Sequence, residues 1–550
     1  MPGGLLNIIA YGNQNVFLHG NPDKTFFKSV YAKHTNFGIQ KFRVDYNGSR
    51  TLRLNEKSTF TFKIPRYAEL LLDTFLAIQL PDIWSPIYPP QSLTDEWSPY
   101  EFKWIENLGV NMIEEITISI GGQIIQKYSG QYIYNMYLRD FRNKNKLFSE
   151  MTGNISELND PANAFDRSDT YPSAYYNTTS DGAEPSIRSR MLYIPLCPFF
   201  SFNTNLAFPL TCLQYSELNF NVTLRPIKEL FTIKDITNYT EGTYDRIQPN
   251  FNISEHAFYR FLQQPPSIAL NADDYEDQTT IWNADIHLMC NYCFLTEEET
   301  KVFAKNEQLY LIKEIKETTH KNLVGSNKIS LETSGMVKNW MWFFRRNDAY
   351  TRNEWSNYSN FPYKGVLPYD IETPTDDKYD TTASDATLDA YLSAGPYKDS
   401  GVYLSGDYHS ENIKNILQKF SIVFDGKYRE NEFDGDIYNY IEKYKASNCL
   451  IENGLYCYNF CFNTNPYDNQ PSGSINLNKF RNIEFEFTTT TPEVNNDAEF
   501  LNICTEDGEL IGVNKNTWDT YKYNYDLIIQ EERYNILKFI SGTASLFYSS

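Results

Sequence analysis

ITISIGGQII, residues Ile116–Ile125, holds a β-hairpin in ten letters. Ile116, Ile118 and Ile120 alternate with Thr117 and Ser119, the period-two pattern of a strand with one buried face. Gly121-Gly122 then supplies the positive φ angles that a two-residue hairpin turn needs. The second half of the chain holds a counterpart, FSIVFDGKYR (Phe420–Arg429), with Asp425-Gly426 in the turn. Working outward, LYIPLCPFFSFN (Leu192–Asn203) is matched by LYCYNFCFN (Leu455–Asn463). TCLQYSELNFNVTL (Thr211–Leu224) is matched by SINLNKFRNIEFEF (Ser474–Phe487). The three pairs keep one order, so the chain reads as an internal duplication of one β-rich domain.

The rest of the pattern agrees with a mainly β protein. STFTFKI (Ser58–Ile64) alternates cleanly, and VDYNGSRTLRL (Val44–Leu54) predicts a hairpin about Asn47-Gly48. Helices are few. One is expected from Thr296, where Thr296 and Glu299 form a capping box before the run to Lys305. SGQYIYNMYLRDF (Ser129–Phe141) is a second candidate. Two polar stretches, Asn143–Arg190 and Asp370–Gly395, lack a core pattern and are expected as surface loops. The junction between the repeats is expected near Pro226–Asn252. This divides the chain into an N-terminal arm (1–25), a first domain (26–228), a linker (229–255) and a second domain (256–550). The arm is mildly apolar (Leu5, Leu6, Ile8, Ile9, Val16, Phe17, Leu18), and its glycines argue against a barrel strand, so it is expected to pack beneath the first domain.

Composition narrows the function. The 550 residues suffice for two or three domains, and 41% apolar content excludes wholesale disorder. The 42 Tyr and 37 Phe suit pleated, half-buried surfaces. A net charge of −21 argues against a protein that coats nucleic acid, because phosphate neutralisation needs a basic surface. The longest apolar run, Leu70–Leu80, is too short to span a bilayer and is broken by Asp73 and Gln79. The first residues lack a basic n-region and a long apolar core, so no secretory signal is expected. The cysteines are accordingly expected as free thiols of a reducing compartment. Cys290-x-x-Cys293 has zinc spacing with His287 upstream, but on a strand the two thiols point to opposite faces. Cys457 and Cys461 share a face but lie about 13 Å apart at the usual strand rise.

Signs of catalysis are absent. Gly426-Lys427 is followed by Tyr428 and belongs to a hairpin, not a phosphate-binding loop. No G-x-S-x-G or H-E-x-x-H occurs, and His19, His34, His256, His287, His320 and His409 are scattered. Asp376-Asp377 and Glu297–Glu299 read as solvated or helix-capping acids. No catalytic, cofactor-binding or metal-binding residue is therefore assigned, and no cofactor. N-x-[ST] triplets begin at Asn47, Asn154, Asn177, Asn221, Asn238, Asn252 and Asn357, as expected by chance in an Asn-rich chain; only Asn154 and Asn177 fall on expected surface loops.

Several segments resemble the major capsid proteins of nucleocytoplasmic large DNA viruses. GGLLNIIAYGNQNVFLHGNPDKTFFKSVYAKHTNF (Gly3–Phe37) looks like the family's opening signature, in the order AYG, NP, TFFK, VY, HTNF. Glu114–Ile133 and Tyr193–Leu218 resemble its first domain. Ala284–Glu314 resembles the start of its second, and Gln470–Asn482 and Tyr534–Ser550 its end. Asn15 and Lys33 stand where the family often has Asp and Arg. The resemblance implies an all-β double jelly roll, two eight-stranded barrels side by side, with a few short helices and long surface loops. It implies a homotrimer of pseudo-hexagonal outline that meets neighbouring capsomers in an icosahedral shell, assembled in the host cytoplasm. It further implies minor capsid proteins and an inner viral membrane on the inner face, where the arm would lie, and no direct contact with nucleic acid. A paralogous minor capsid or scaffold protein shares these features. A glycan-binding or attachment protein is the alternative of another class, pointed to by the Tyr-rich stretch with Tyr171, Tyr175 and Tyr176.

Overall fold

Sixteen strands build two β-sandwiches of one topology. The computed structural model describes residues 3–10, 12–46, 48, 51–85, 101–174, 184–234, 246–265, 275–278, 282–368, 410–450, 452–496, 498, 501–505, 509–514 and 520–548. In the first half the strands are β1 (Gly38–Val44), β2 (Ser58–Lys63), β3 (Leu70–Gln79), β4 (Ile113–Ile120), β5 (Gln123–Tyr128), β6 (Met191–Pro195), β7 (Leu218–Leu224) and β8 (His287–Phe294). In the second they are β9 (Gln308–Leu323), β10 (Ser326–Ser330), β11 (Met336–Arg346), β12 (Leu417–Phe424), β13 (Lys427–Asp434), β14 (Leu455–Asn459), β15 (Ile483–Thr489) and β16 (Tyr525–Ile540). One sheet of the first half runs β1-β8-β3-β6 and the other β2-β7-β4-β5; in the second half they run β9-β16-β11-β14 and β10-β15-β12-β13. Each strand thus has its counterpart eight strands later, in the same place. This is the double jelly roll that the family resemblance implies, and it bears out the duplication read from the sequence.

Local sequence explains the elements. β2 buries Ser58, Phe60 and Phe62 and exposes the residues between, the period-two pattern of its letters. The hairpins β4–β5 and β12–β13 turn on Gly121-Gly122 (φ +55°, +90°) and Asp425-Gly426 (φ +47°, +77°), as the twist of paired strands requires. Helix α2 (Gly130–Asp140) starts where Ser129 accepts a hydrogen bond from the Tyr132 amide; α1 (Gly3–Ile9) lies in the arm. Helix α3 (Asn145–Thr152) follows, and α4 (Glu297–Lys305) joins β8 to β9. Thr296 caps α4 by position, but its side chain makes no cap hydrogen bond, so the expected capping box does not close.

Four expectations change. The strand within Ala284–Glu314, placed at the start of the second half, is β8, and it lies hydrogen-bonded between β1 and β3 of the first. Among the described residues of Val44–Leu54 no strand pairing makes the expected hairpin: β1 ends at Val44 and pairs with β8, a distant strand of matching pattern; the turn residue Asn47 is outside the described residues. Residues 229–255 are not a bare linker, since Phe231–Lys234 pairs with Lys103–Trp104 and buries Phe231 and Ile233. Asn143–Arg190 holds α3 and buries Phe148, Leu158, Ala164 and Ala174, so small and isolated apolar residues do pack there. Asp370–Gly395 lies outside the described residues.

The two ends of the sandwiches differ. At one end the connections are tight. Arg66 donates to the Ser216 carbonyl (3.0 Å) and the Gly121 amide to the Glu217 carbonyl (3.1 Å). At the other end the insertions of both halves interlock. Asn353 Nδ2 donates to the carbonyls of Lys228 and Phe231 (2.8 Å each), and Trp355 Nε1 to that of Glu229 (3.0 Å).

Candidate assembly surfaces

The two halves meet along a seam that is apolar at its margins and ionic at its centre. Helix α2 of the first half lies on β16 and β11 of the second. Asn135 Nδ2 donates to Gln530 Oε1 (2.9 Å), and the Tyr132 hydroxyl to Glu532 Oε1 (2.9 Å). Arg139, 1% exposed, pairs with Asp140 and Glu532 at 2.7 Å each and donates to Asn339 Oδ1 (3.1 Å). Burial alone would push the Glu532 carboxyl up, but Arg139, Lys338 and Lys313 outweigh it and hold it well below the usual carboxylate range. Burial pushes the Lys313 ammonium down to about 7, with Lys338 adding to the effect. Around this centre Met341, Phe343 and Ile528 of the second half join the apolar core of the first. Breaking such a pair strands a charge in a dry interior, so the seam fixes one arrangement of the halves.

The sequence did not single out these residues. Arg139 and Glu532 lie on elements far apart in the chain, and periodicity carries no information about which charged residues meet. The one usable signal was the acid pair Glu531-Glu532 in the middle of YDLIIQEERYNILKFI, a strand whose two ends are mainly apolar.

The arm stands apart from both cores. Leu5, Leu6, Ile8, Ile9, Val16, Phe17 and Leu18 are exposed, as are Phe26, Phe27, Val30 and Tyr31. The arm therefore does not pack beneath the first half, and it reaches to about residue 37, where β1 begins. Its glycines argue against a barrel strand, but nothing in its letters says whether its apolar residues are covered.

The residues considered for chemistry are dispersed. Cys290 joins the main core and Cys293 a separate cluster with Leu70 and Ala207, so the two thiols do occupy opposite faces of β8. Burial pushes the Cys290 thiol up to about 12. All eight cysteines are unpaired, and among the described residues no three His, Cys, Asp or Glu side chains are grouped to hold a metal. His256 and His287 are buried; His409 is outside the described residues. Asn154 is engaged, accepting from the Asn107 amide and from Asn159, and Asn357 is buried. Asn177 is outside the described residues. Tyr171 is buried with its hydroxyl on the Phe102 carbonyl (2.6 Å), which removes it from any exposed aromatic cluster; Tyr175 and Tyr176 are outside the described residues. No described helix is long and apolar enough to cross a membrane.

Two family models divide the chain between them. One, the major capsid protein N-terminus, matches residues 25–295; the other, the large eukaryotic DNA virus major capsid protein, matches residues 299–545. The chain belongs to the large eukaryotic DNA virus major capsid protein family. Among its relatives in that family is the major capsid protein of Phaeocystis pouchetii virus, 25% identical over the full length of both chains. That of Paramecium bursaria Chlorella virus 1 is also 25% identical and also covers both chains entirely. Of solved structures, PBCV-1 VP54 superposes with a TM-score of 0.59 at 20% identity, over 96% of this chain and all of the other. The Faustovirus major capsid protein superposes with 0.58 at 13% identity, over 98% and 96%. These superpositions establish the shared double jelly-roll fold. As a major capsid protein family member, the chain is a structural component of a virus shell.

Proposed function

We propose that this chain assembles as a homotrimer of pseudo-hexagonal outline and that such trimers tile an icosahedral shell without catalysing a reaction. The observation that carries the reading is the repeat of one sandwich topology within one chain. Two like barrels per chain and three chains give six like corners, which is the shape that packs a surface in hexagonal array. The division we propose follows the pairing of β8: an arm to residue 37, a first barrel from 38 to 294, a connection through α4, and a second barrel from 308 onward. The exposed apolar arm supports a role in holding minor capsid proteins or an inner membrane on the inner face, and the acidic balance supports separation from the genome. Assembly in the host cytoplasm fits the eight unpaired cysteines.

Light scattering of the purified chain at micromolar concentration tests the assembly, with a trimer expected and images of hexagonal outline. A monomer counts against the reading. Deleting Met1–Gly12 is expected to leave the trimer folded and to impair shell formation; loss of the folded trimer would place the arm in the core.

A further inference from the structure

The seam inside the chain is a template for the contact between chains. It joins two unlike surfaces. The first half offers β5 and α2; the second receives them on the outer face of β9, β16 and β11. Each half also carries the surface that its partner used, and among the described residues these two copies do not meet each other; α4 covers the first half's copy only at its Cys293 end, where Phe303 packs with Cys293 and Leu70. The second half offers β13 and the helical turns of residues 435–446. The first half presents the outer face of β1, β8 and β3.

The offered surfaces correspond closely. Gly130 follows β5 and Gly435 follows β13. A Cβ at either would meet a backbone carbonyl, that of Val110 at 1.9 Å or of Leu417 at 2.9 Å, so both strand-to-helix junctions need glycine for close approach. Counting from these glycines sets Tyr440, Ile441 and Tyr444 where Asn135, Met136 and Arg139 stand. Those three are 0%, 2% and 1% exposed, buried under the other half. Tyr440, Ile441 and Tyr444 are 43%, 46% and 87% exposed. Phe433, at the end of β13 next to Gly435, is also exposed. On the receiving side, Lys41, Asn291 and Asp73 stand in one row across the outer face, with Arg43, Met289 and Phe75 in the next. Asp73, Phe75 and Pro195 wall a groove of about 370 Å³, closed on the far side by Leu147 and Met151. Ile39 at the edge is exposed.

We infer that residues 437–444 and β13 of one chain dock on the outer β1-β8-β3 face of a second copy, repeating the internal seam between molecules. The inference rests on the trimer reading and adds to it which faces meet. The contact is between unlike surfaces, so it repeats head to tail and closes as a ring. Its chemistry departs from the internal seam. The buried ion pair of Arg139 and Glu532 is replaced on the offered side by tyrosine and isoleucine, residues enriched in or suited to interface cores. The half-buried Asp73 carboxylate is an acceptor for a tyrosine hydroxyl. Association through this face is accordingly expected to survive high salt, which screens exposed ion pairs and not apolar burial.

Light scattering on the full chain tests this with Ile441→Asp and Tyr444→Asp on the offered face, Ile39→Asp on the receiving face, and the exposed Tyr350→Asp in the interlocked insertions as a control. Wild type and the control are expected as trimers, and each face variant as a monomer with at least tenfold weaker association and an unchanged circular dichroism spectrum. An equimolar mixture of Ile441→Asp and Ile39→Asp retains one intact pair of faces and is expected to give a dimer. A wild-type trimer indifferent to these substitutions overturns the assignment of faces alone; a monomeric wild type overturns the trimer reading itself. Should a variant fail to fold, bismaleimide cross-linking in a Cys504→Ser background replaces it. Lys41→Cys with Tyr444→Cys is expected to link chains and neither single substitution to do so; a link in either single variant, or none in the double, overturns the assignment.

Discussion

The first sandwich fills its interior mainly with aliphatic side chains, and the second does so mainly with aromatic ones. Where β3 and β6 contribute Leu76, Ile78, Leu192 and Ile194, strands β11 and β14 contribute Trp340, Trp342, Tyr456 and Tyr458. Where β4 and β7 contribute Ile116, Ile118, Phe220 and Val222, strands β12 and β15 contribute Phe420, Ile422, Phe485 and Phe487. Strand order and turn geometry are nonetheless the same. What the two halves share is the alternation of faces and the positive-φ residues at the turns; the identity of the core residues is free so long as volume and pattern agree.

The largest test of this difference is Trp342→Ala. Trp342 is fully buried and stacks on Phe420 at 4.4 Å, so its loss opens a large cavity costing about 3–5 kcal/mol. Leu76→Ala in the first core is expected to cost about 3 kcal/mol. Denaturant titration of both variants checks the order. Trp342→Phe sharpens it: the Trp342 indole N–H has no hydrogen-bond partner among the described residues, so the aromatic replacement should recover most of the loss.

Next comes the seam. Glu532→Gln leaves Asp140 as the one carboxylate paired with Arg139 and is expected to cost about 3 kcal/mol. Because the folded state holds Glu532 below the ordinary carboxylate range, its contribution is present at neutral pH and fades as pH falls below about 4. The variant's stability should therefore depend less on acid than the wild type's, as measured by unfolding titrations from pH 7 to pH 3.

Glu354, in the interlocked insertions, has the opposite sign. Burial, with Glu106 adding repulsion, pushes its carboxyl up to about 7. The folded state then binds the proton more tightly than the unfolded one between about pH 4.5 and 7. Stability falls as pH rises through that window, by about 1–2 kcal/mol once its partial exposure is allowed for. Glu354→Gln should flatten the profile.

The smallest effect concerns the shared turns. Gly122→Ala and Gly426→Ala have room for the added carbon but keep φ near +90° and +77°. Each should cost about 1 kcal/mol, and by the same amount. Unequal values would show that the two hairpins are not equivalent.

The hairpins were legible because their information is local: alternation and a glycine turn within ten residues. The placement of β8 was not, because period-two patterning fixes which face a residue takes and not which strand it joins. Asn47-Gly48 misled for the same reason. The ionic seam was hidden more deeply, since α2 reads as an amphipathic helix whether its polar residues meet water or Glu532. The exposed arm was half legible: its glycines kept it out of the barrel, but its apolar residues gave no sign that they remain uncovered.

The position of β8 and β16 within their sheets has a consequence for how the protein is made. Each is an inner strand of its sheet, and each is the last strand of its barrel to be synthesised. At about 5–20 residues per second, the ribosome needs many seconds to pass from β1 to β8. During that time β1 and β3 are translated and their shared partner is not. The first barrel therefore waits with an open cleft through the synthesis of all its long insertions, and the second waits from β9 until β16 is made. Nascent subunits on crowded polysomes carry unpaired strand edges of identical sequence, the condition under which chains exchange strands instead of completing their own. A slow step late in synthesis, at the entry of β16, is where a folding helper would have most effect on yield.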